Sequence, residues 1–365
     1  MPKPLRVALV LPELALRGSV RRSLSLAREL LKRGHTVAVA APGGAIEELF
    51  KSLDITYIRW HLASSGRRAA LFGTGQAVGK LRDFKPDLLH VSTLRWFTPW
   101  QTFARAARCP VIATIQSAAE LAPIGPRAWN MLSAVIAVSH DVREALVNDA
   151  YIDRKRIALI PSGVQPMAED DINSHLKTPR AGTPVVACIG PLNNKNALLT
   201  FLDACACVTA SGQEAMFLII GKGPQTGLVR KTIADRDLAR HVVLLEELHS
   251  YANVYTSFDA VVSVDDSLDN AYFAIEAMGH GVPVIASGSG SHLELVEDEV
   301  SGLIYAPDDA DSLASRMGIL LSDPKRRLDL AWNAWRRARD TFNISIMVDS
   351  IEPLYRSCIE PSERQ

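Results

Sequence analysis

The sequence predicts an α/β protein built from two doubly wound, parallel-sheet domains. Its length of 365 residues, two separate series of aliphatic strands alternating with helices, and a polar, proline-containing stretch between them at 165–184 carry this expectation. A prior of roughly 100 to 200 residues per domain makes two the natural number. Hydrophobic residues are 48% and charged residues 22%, which excludes disordered and fibrous classes and leaves ample apolar surface to bury. Lys plus Arg and Asp plus Glu both total 40, so no net field draws the chain to nucleic acid.

The first unit reads strand, loop, helix, strand: LRVALVLP, a polar loop through Arg17 and Gly18, SLSLARELLKRG, then HTVAVAAP. Leu24, Ala27, Leu30 and Leu31 recur at helical spacing and the helix stops at Gly34. Both strands are continuous aliphatic runs, as strands covered on two faces must be. The alternation continues through DITYIRW, a helix near 75–83, DLLHVS, a helix around 99–107, PVIATI, AVIAVS, a helix from Asp141, and RIALIP. Strands joined through helices imply parallel pairing.

Past Val164, QPMAEDDINSHLKTPRAGTP carries acids and prolines without an apolar period, as a linker does. A second alternation runs PVVACIG, helix 195–209, AMFLIIG, helix 225–237, HVVLLEE, a short helix near 250–256, DAVVSVD, helix 272–280, PVIAS, helix 291–297, GLIYAP, and closing helices. The expected division is residues 1–165, a linker at 166–183, and a second domain at 184–340. Ligands of open α/β sheets bind outside the carboxyl ends of the strands, here in a cleft faced by both domains.

No apolar run approaches the roughly 20 residues of a membrane helix, and no leader pattern opens the chain, so a cytoplasmic location is expected. Five cysteines, at 109, 188, 205, 207 and 358, are scattered without C-x-x-C spacing and read as buried thiols, with no metal expected.

The stretch Tyr272–Glu294, YFAIEAMGHGVPVIASGSGSHLE, is the most informative. Asp269, Asn270 and Ala271 precede the expected helix, so backbone N–H groups and the positive end of its dipole would face an anionic or hydroxyl-rich ligand, with Asn270 as a cap. Gly281 ends the helix, Pro283 starts the next strand, and Gly288 and Gly290 allow close backbone approach. Glu276, an acid in an apolar segment, needs a partner. A ribose diol would supply one; a helix-start acid satisfied by the dipole is the plain alternative.

AIEAMGHGVPVIASGSGSHLELVEDEVSGLIYAPDD resembles the donor-site signature of family-4 retaining glycosyltransferases of the GT-B fold. Matches to the same family span nearly the whole chain: RGHTVAV, KPDLLHV at 85–91, AVIAVSHDVREAL at 134–146, IPSGV at 160–164, IIGKGP at 219–224 and SFDAVVSV at 257–264. The resemblance implies two Rossmann-like domains, with the last segment, 341–365, packing back on the first. It implies that Glu276 holds the ribose of a nucleotide sugar, that the Asn270, Ala271 and Tyr272 backbone lies under the sugar, and that Lys195 neutralises the diphosphate. Gly18 would lie near the transferred sugar, and Gly190 and Gly221 would border the donor. A helix-start lysine in solvent is the plain alternative for Lys195. The implied partners are a nucleotide sugar and a glycan, lipid-linked or small-molecule acceptor, with no resident cofactor or metal.

Four positions depart from the family pattern. Leu268 stands where a glutamate is usual eight positions before Glu276, with Asp269 beside it; Pro191 replaces an arginine; Gln116 in TIQS replaces a histidine; and Ser19 follows Gly18 in place of a second glycine. Lys222 or Arg230 is the candidate to restore the missing cation. Lys195, Gln116 and Asp269 are the candidate catalytic positions. Two functions follow: sugar transfer to an acceptor hydroxyl with anomeric retention, or a catalytically impaired relative that binds nucleotide or glycan or acts as a scaffold.

Weaker patterns complete the reading. GKGPQTG at 221–227 has its third glycine one position late for a dinucleotide fingerprint, and the first turn, PELALRGSV, lacks G-x-G-x-x-G, which disfavours an oxidoreductase. His35, His90 and His140 read as structural. Arg17, Arg21, Arg22, Lys32 and Arg33 cluster around the first helix, either solvated or facing an anionic acceptor or lipid head group at a membrane surface. Trp96, Phe97, Trp100 and Phe103 read as packing of the first domain, with stacking on an acceptor sugar as the alternative.

Overall fold

Aliphatic runs form thirteen parallel strands in two sheets, in a computed structural model that describes residues 3–15, 17–44, 46–60, 67–92, 94, 100–121, 124–177, 182–246, 254–265 and 267–360. Unit 1 comprises Met1–Gly163 with Ile344–Gln365, and unit 2 comprises Val164–Asn343. Trp96, Phe97 and most of the short helix expected at 250–256 lie outside the described residues.

In unit 1 the order is β1 (Arg6–Val10), α1 (Gly18–Lys32), β2 (Thr36–Ala41), α2 (Glu47–Lys51), β3 (Thr56–Arg59), α3 (Arg67–Phe84), β4 (Leu88–Val91), α4 (Trp100–Ala107), β5 (Val111–Ile115), α5 (Pro126–Trp129), β6 (Ala134–Ala137), α6 (His140–Asn148) and β7 (Ile157–Leu159). The strands pair in the order β3-β2-β1-β4-β5-β6-β7, so the sheet reverses direction of growth between β1 and β4. Alternate residues of β1 face opposite layers. Val7 and Leu9 pack with Leu26 and Leu30 of α1, while Ala8 and Val10 join Trp100 and Phe103 of α4 in the other layer. Trp100 and Phe103 are therefore core, as the packing reading expects.

Unit 2 continues with α7 (Glu169–Lys177), β8 (Val185–Ile189), α8 (Lys195–Ala210), β9 (Met216–Ile220), α9 (Thr226–Asp235), β10 (Val242–Leu245), β11 (Ala260–Ser263), α10 (Leu268–Gly279), β12 (Val284–Ser287), α11 (His292–Leu295), β13 (Gly302–Tyr305), α12 (Ala310–Ser322) and α13 (Pro324–Asp340). Its order, β10-β9-β8-β11-β12-β13, repeats the unit 1 pattern, with the switch between β8 and β11. Phe201 of α8 and Phe217 of β9 meet edge to face, with ring centroids 6.4 Å apart, in its core.

Two expectations change. The stretch expected as linker holds a helix, α7, because Glu169, Asp170 and Asp171 sit in its first turn against the dipole and Ile172 is buried. Trp335 Nε1 donates to Met167 O at 3.0 Å, fixing the approach to that helix. The other change is α10, which starts four residues earlier than 272, because Asp265 Oδ1 accepts from Ser267 N at 3.0 Å and turns the chain into the helix.

The last helix, α14 (Ile344–Ile359), belongs to unit 1 and packs on α1 through Ile344, Met347, Val348 and Ile351. Burying each such side chain contributes roughly 1.5–3 kcal/mol. Arg33 at the end of α1 bonds Asp349 at 2.7 Å and Glu352 at 3.3 Å. Among the described residues, no helix is long and apolar enough to cross a membrane.

Candidate active site

In unit 2 the sheet switches direction where Gly190 follows β8 and the chain after β11 enters α10. Gly190 N donates to Ile220 O at 3.0 Å and Gly221 N to Leu245 O at 2.9 Å, so each glycine closes onto a neighbouring strand end. A Cβ on Gly190 would overlap Asn270 Oδ1, one on Gly221 would overlap Gly190 O, and one on Gly223 would overlap Leu192 O. Only glycine fits this shelf, and its φ of +155° at both 190 and 221 adds a second reason.

Asn270 sits in the first turn of α10, 3% exposed. It does not cap the helix: Ser267 occupies the cap position, and Asn270 Nδ2 instead donates to Asp265 Oδ1 at 2.6 Å. Asp265 thus holds both the turn and the amide that presses on Gly190. Ala271 N donates to Ser267 O at 3.0 Å, so the amides of residues 268–270 lie ahead of the first intrahelical bond of α10, at its positive end. Asp269 is buried in that same turn, and Tyr272 is buried behind it.

Glu276 lies two turns into α10, which removes the reading of a helix-start acid satisfied by the dipole. The residue is 7% exposed, and its carboxylate accepts from Tyr255 Oη at 2.9 Å. The Tyr255 ring stacks on His280 with centroids 5.0 Å apart, and His280 Nδ1 bonds Glu276 O at 2.7 Å. Tyr255 and Asp265 escaped sequence reasoning. A buried tyrosine needs a partner for its hydroxyl, and an Asp two residues before a Ser at a strand end is a turn signal; those were the available clues.

Lys195 is the first residue of α8 and exposed, with Asn194 capping the helix through Ala197 N at 3.2 Å. Lys222 and Arg230, the candidates to restore the cation missing at Pro191, both pair with Glu246. At the ends of β11 and β12, fully buried His292 bonds Ser263 Oγ at 2.8 Å and Ser287 O at 3.2 Å. This histidine was not singled out from sequence; it locks the two strand ends that launch α10 and the Gly288–Gly290 loop.

In unit 1, Gly18 is buried as the first residue of α1. Gln116, after β5, is 2% exposed and donates from Nε2 to Ser92 O at 2.8 Å. Beneath it, His90 bonds Thr114 Oγ1 at 2.7 Å and Tyr355 Oη of α14 at 2.5 Å, while Arg22 Nη1 donates to Thr114 Oγ1 at 3.4 Å. Burial, with Arg22 nearby, pushes the His90 pKa down to about 3, so the ring is a neutral structural strut. The basic cluster on α1 is largely committed internally: Arg17 pairs with Glu13 at 2.7 Å, Arg22 is buried, and Arg33 holds α14.

The cysteines divide by environment. Cys188 and Cys205 are buried, Cys109 and Cys358 partly so, and Cys207 is exposed, against the expectation that all five are buried. Burial raises the Cys188 pKa to about 12. Among the described residues, no group of three or more His, Cys, Asp or Glu converges as a metal site.

Solved glycosyltransferases share this architecture. HepE of Anabaena, solved with UDP and glucose, superposes with a TM-score of 0.78 at 19% identity over 97% of this chain and all of that one. A glycosyltransferase of Rickettsia africae gives 0.76 at 18% over 99% of this chain and all of that one. The fold class is GT-B. Residues 16–167 match the Glycosyltransferase Family 4 model, and residues 183–323 match the Glycosyl transferases group 1 model. The chain belongs to the family-4 glycosyltransferases. It is 23% identical to a GDP-mannose-dependent alpha-mannosyltransferase of Corynebacterium glutamicum across 93% of this chain and 86% of that enzyme. It is 26% identical to a 2-deoxystreptamine glucosyltransferase of Streptomyces kanamyceticus over 65% of this chain, spanning 61% of that enzyme's length.

Proposed function

We propose that the protein transfers a sugar from a nucleotide-diphosphate sugar to an acceptor hydroxyl with retention at the anomeric carbon. The Gly190, Gly221 and Asn270 shelf at the switch point of unit 2, with buried Glu276 further along α10, is the observation that carries this reading. Ligands of such sheets bind at that place, and the relatives include enzymes named for GDP-mannose and a structure holding UDP and glucose.

Glu276, steadied by Tyr255, accepts two hydroxyl hydrogen bonds from the ribose. The diphosphate lies over Gly190 and the first turn of α10, with Lys195 supplying positive charge. Asn270, Ala271 and Tyr272 support the sugar from beneath, with Asp269 beside them. Unit 1 presents the acceptor, with Gly18 and Gln116 at the carboxyl ends of its strands. The bond from the anomeric carbon to the diphosphate oxygen breaks, the acceptor oxygen bonds the same face, and its proton passes to the leaving phosphate. Orientation and diphosphate stabilisation supply most of the acceleration. The site of action is cytoplasmic, with a glycan, lipid-linked or small-molecule acceptor.

A second reading, an impaired relative that binds nucleotide without transfer, is favoured by Gln116, a buried amide tied to Ser92 O where the family pattern has a histidine. Incubation with a panel of UDP- and GDP-sugars and mixed acceptors, read by mass spectrometry, separates the two. Transfer of one sugar supports the enzyme. Nucleotide binding with neither transfer nor donor hydrolysis assigns the chain to the second reading.

A further inference from the structure

A cavity of about 450 Å³ opens in unit 2 beside Phe258, Asp259 and Pro283, at the amino ends of β11 and β12. Because the strands are parallel, this is the edge of the sheet opposite Gly190 and Asn270. Its volume falls in the range of roughly 300–1,000 Å³ typical of small-molecule sites.

Apolar groups make most of its wall. Phe258 forms a buried floor, and Leu328 and Trp332 stand on the first turns of α13. Leu328 remains 38% exposed, an apolar side chain held in water beside a hollow. The polar groups are few and convergent. Asp259 Oδ2 accepts from Val185 N at 2.8 Å, and its Oδ1 lies 3.7 Å from Arg327. Arg327 also donates to Leu320 O at 2.8 Å, while Lys177, at the end of α7, is exposed at the rim. With His175 completing the polar wall, two cations face one carboxylate, a positive balance that suits one negative charge and disfavours a second.

We propose that this cavity binds a small amphipathic monoanion. A flat aromatic or alicyclic body fits between Phe258, Leu328 and Trp332, with a carboxylate or sulfonate turned toward Lys177 and Arg327. This assignment is independent of the donor reading, because none of these residues belongs to the carboxyl-end constellation.

Calorimetric titration of the full chain with 2-naphthoate and with 2-naphthalenesulfonate tests it, with neutral 2-naphthylmethanol as control. At least one anion binds saturably at one site, the neutral alcohol binds about ten-fold more weakly, and the preferred anion distinguishes carboxylate from sulfonate. Lys177→Glu weakens the anion about five-fold and Leu328→Glu abolishes it, both at exposed positions that leave the melting temperature in place. No saturable binding of either anion, equal affinity for the alcohol, or unchanged affinity in both variants overturns the proposal.

Discussion

Gly190 and Asn270 meet where the unit 2 sheet reverses direction, and the backbone of one leaves no room for a Cβ beside the side-chain oxygen of the other. Asn270 cannot yield easily, because its amide is held by Asp265 at 2.6 Å. Gly190→Ala therefore forces the start of α10 to move and costs about 1–3 kcal/mol. Thermal unfolding reads that loss, and nucleotide affinity falls with it. An alanine variant with wild-type melting and affinity would show that the shelf has slack.

Tyr255 and Glu276 form one unit at the 2.9 Å hydrogen bond that orients the carboxylate. Tyr255→Phe removes the donor and costs about 1–3 kcal/mol of stability by urea denaturation. Glu276→Gln keeps an acceptor and removes the charge. The double variant loses less than the sum of the two, with a coupling of about 0.5–3 kcal/mol. Strict additivity in that cycle contradicts the pairing.

His90 makes unit 1 acid-sensitive. Its folded pKa, about 3, lies below the unfolded value near 6.5, so the unfolded chain takes up the extra proton as pH falls. The stability present above pH ~6.5 is lost progressively down to pH ~3, at about 1.4 kcal/mol per pH unit from this group. Urea denaturation at stepped pH measures the slope, and His90→Gln flattens it by close to one proton. An equal slope in the variant assigns the acid sensitivity elsewhere.

Thiol chemistry reports the packing of unit 2. Cys188 and Cys205 sit in the core with raised pKa values, so iodoacetamide at pH 8 modifies them only after unfolding. Exposed Cys207 reacts in the native state, though more slowly than a free thiol, because partial desolvation and Asp311 raise its pKa. Peptide mapping by mass spectrometry follows each site, and rapid native labelling of Cys205 would contradict the α8 packing.

The two sheets were legible in the sequence because continuous aliphatic runs such as VALV and FLII have no other solution than burial on both faces. Glu276 was legible as an acid in an apolar helix, Asn270 as a residue at a helix start though not in its cap role, and Gly190 through the family resemblance. Their partners were not. Tyr255 meets Glu276 from 21 residues away, and Glu246 claims Lys222 and Arg230 from another strand end, which no local spacing encodes. The helix at α7 was hidden for a different reason: its stability comes from Ile172 packing near Gly281 and from acids at the dipole rather than from an apolar period.

The most direct measurement is calorimetric titration of UDP and GDP into the wild-type chain and into Glu276→Ala, with thermal melting to confirm that the variant remains folded. Saturable binding of one nucleotide, weakened about 5- to 30-fold by the substitution, is the predicted result for a carboxylate that holds the ribose. Equal affinity in a folded variant, or no binding of either nucleotide to the wild type, contradicts the assignment of this shelf as the donor site.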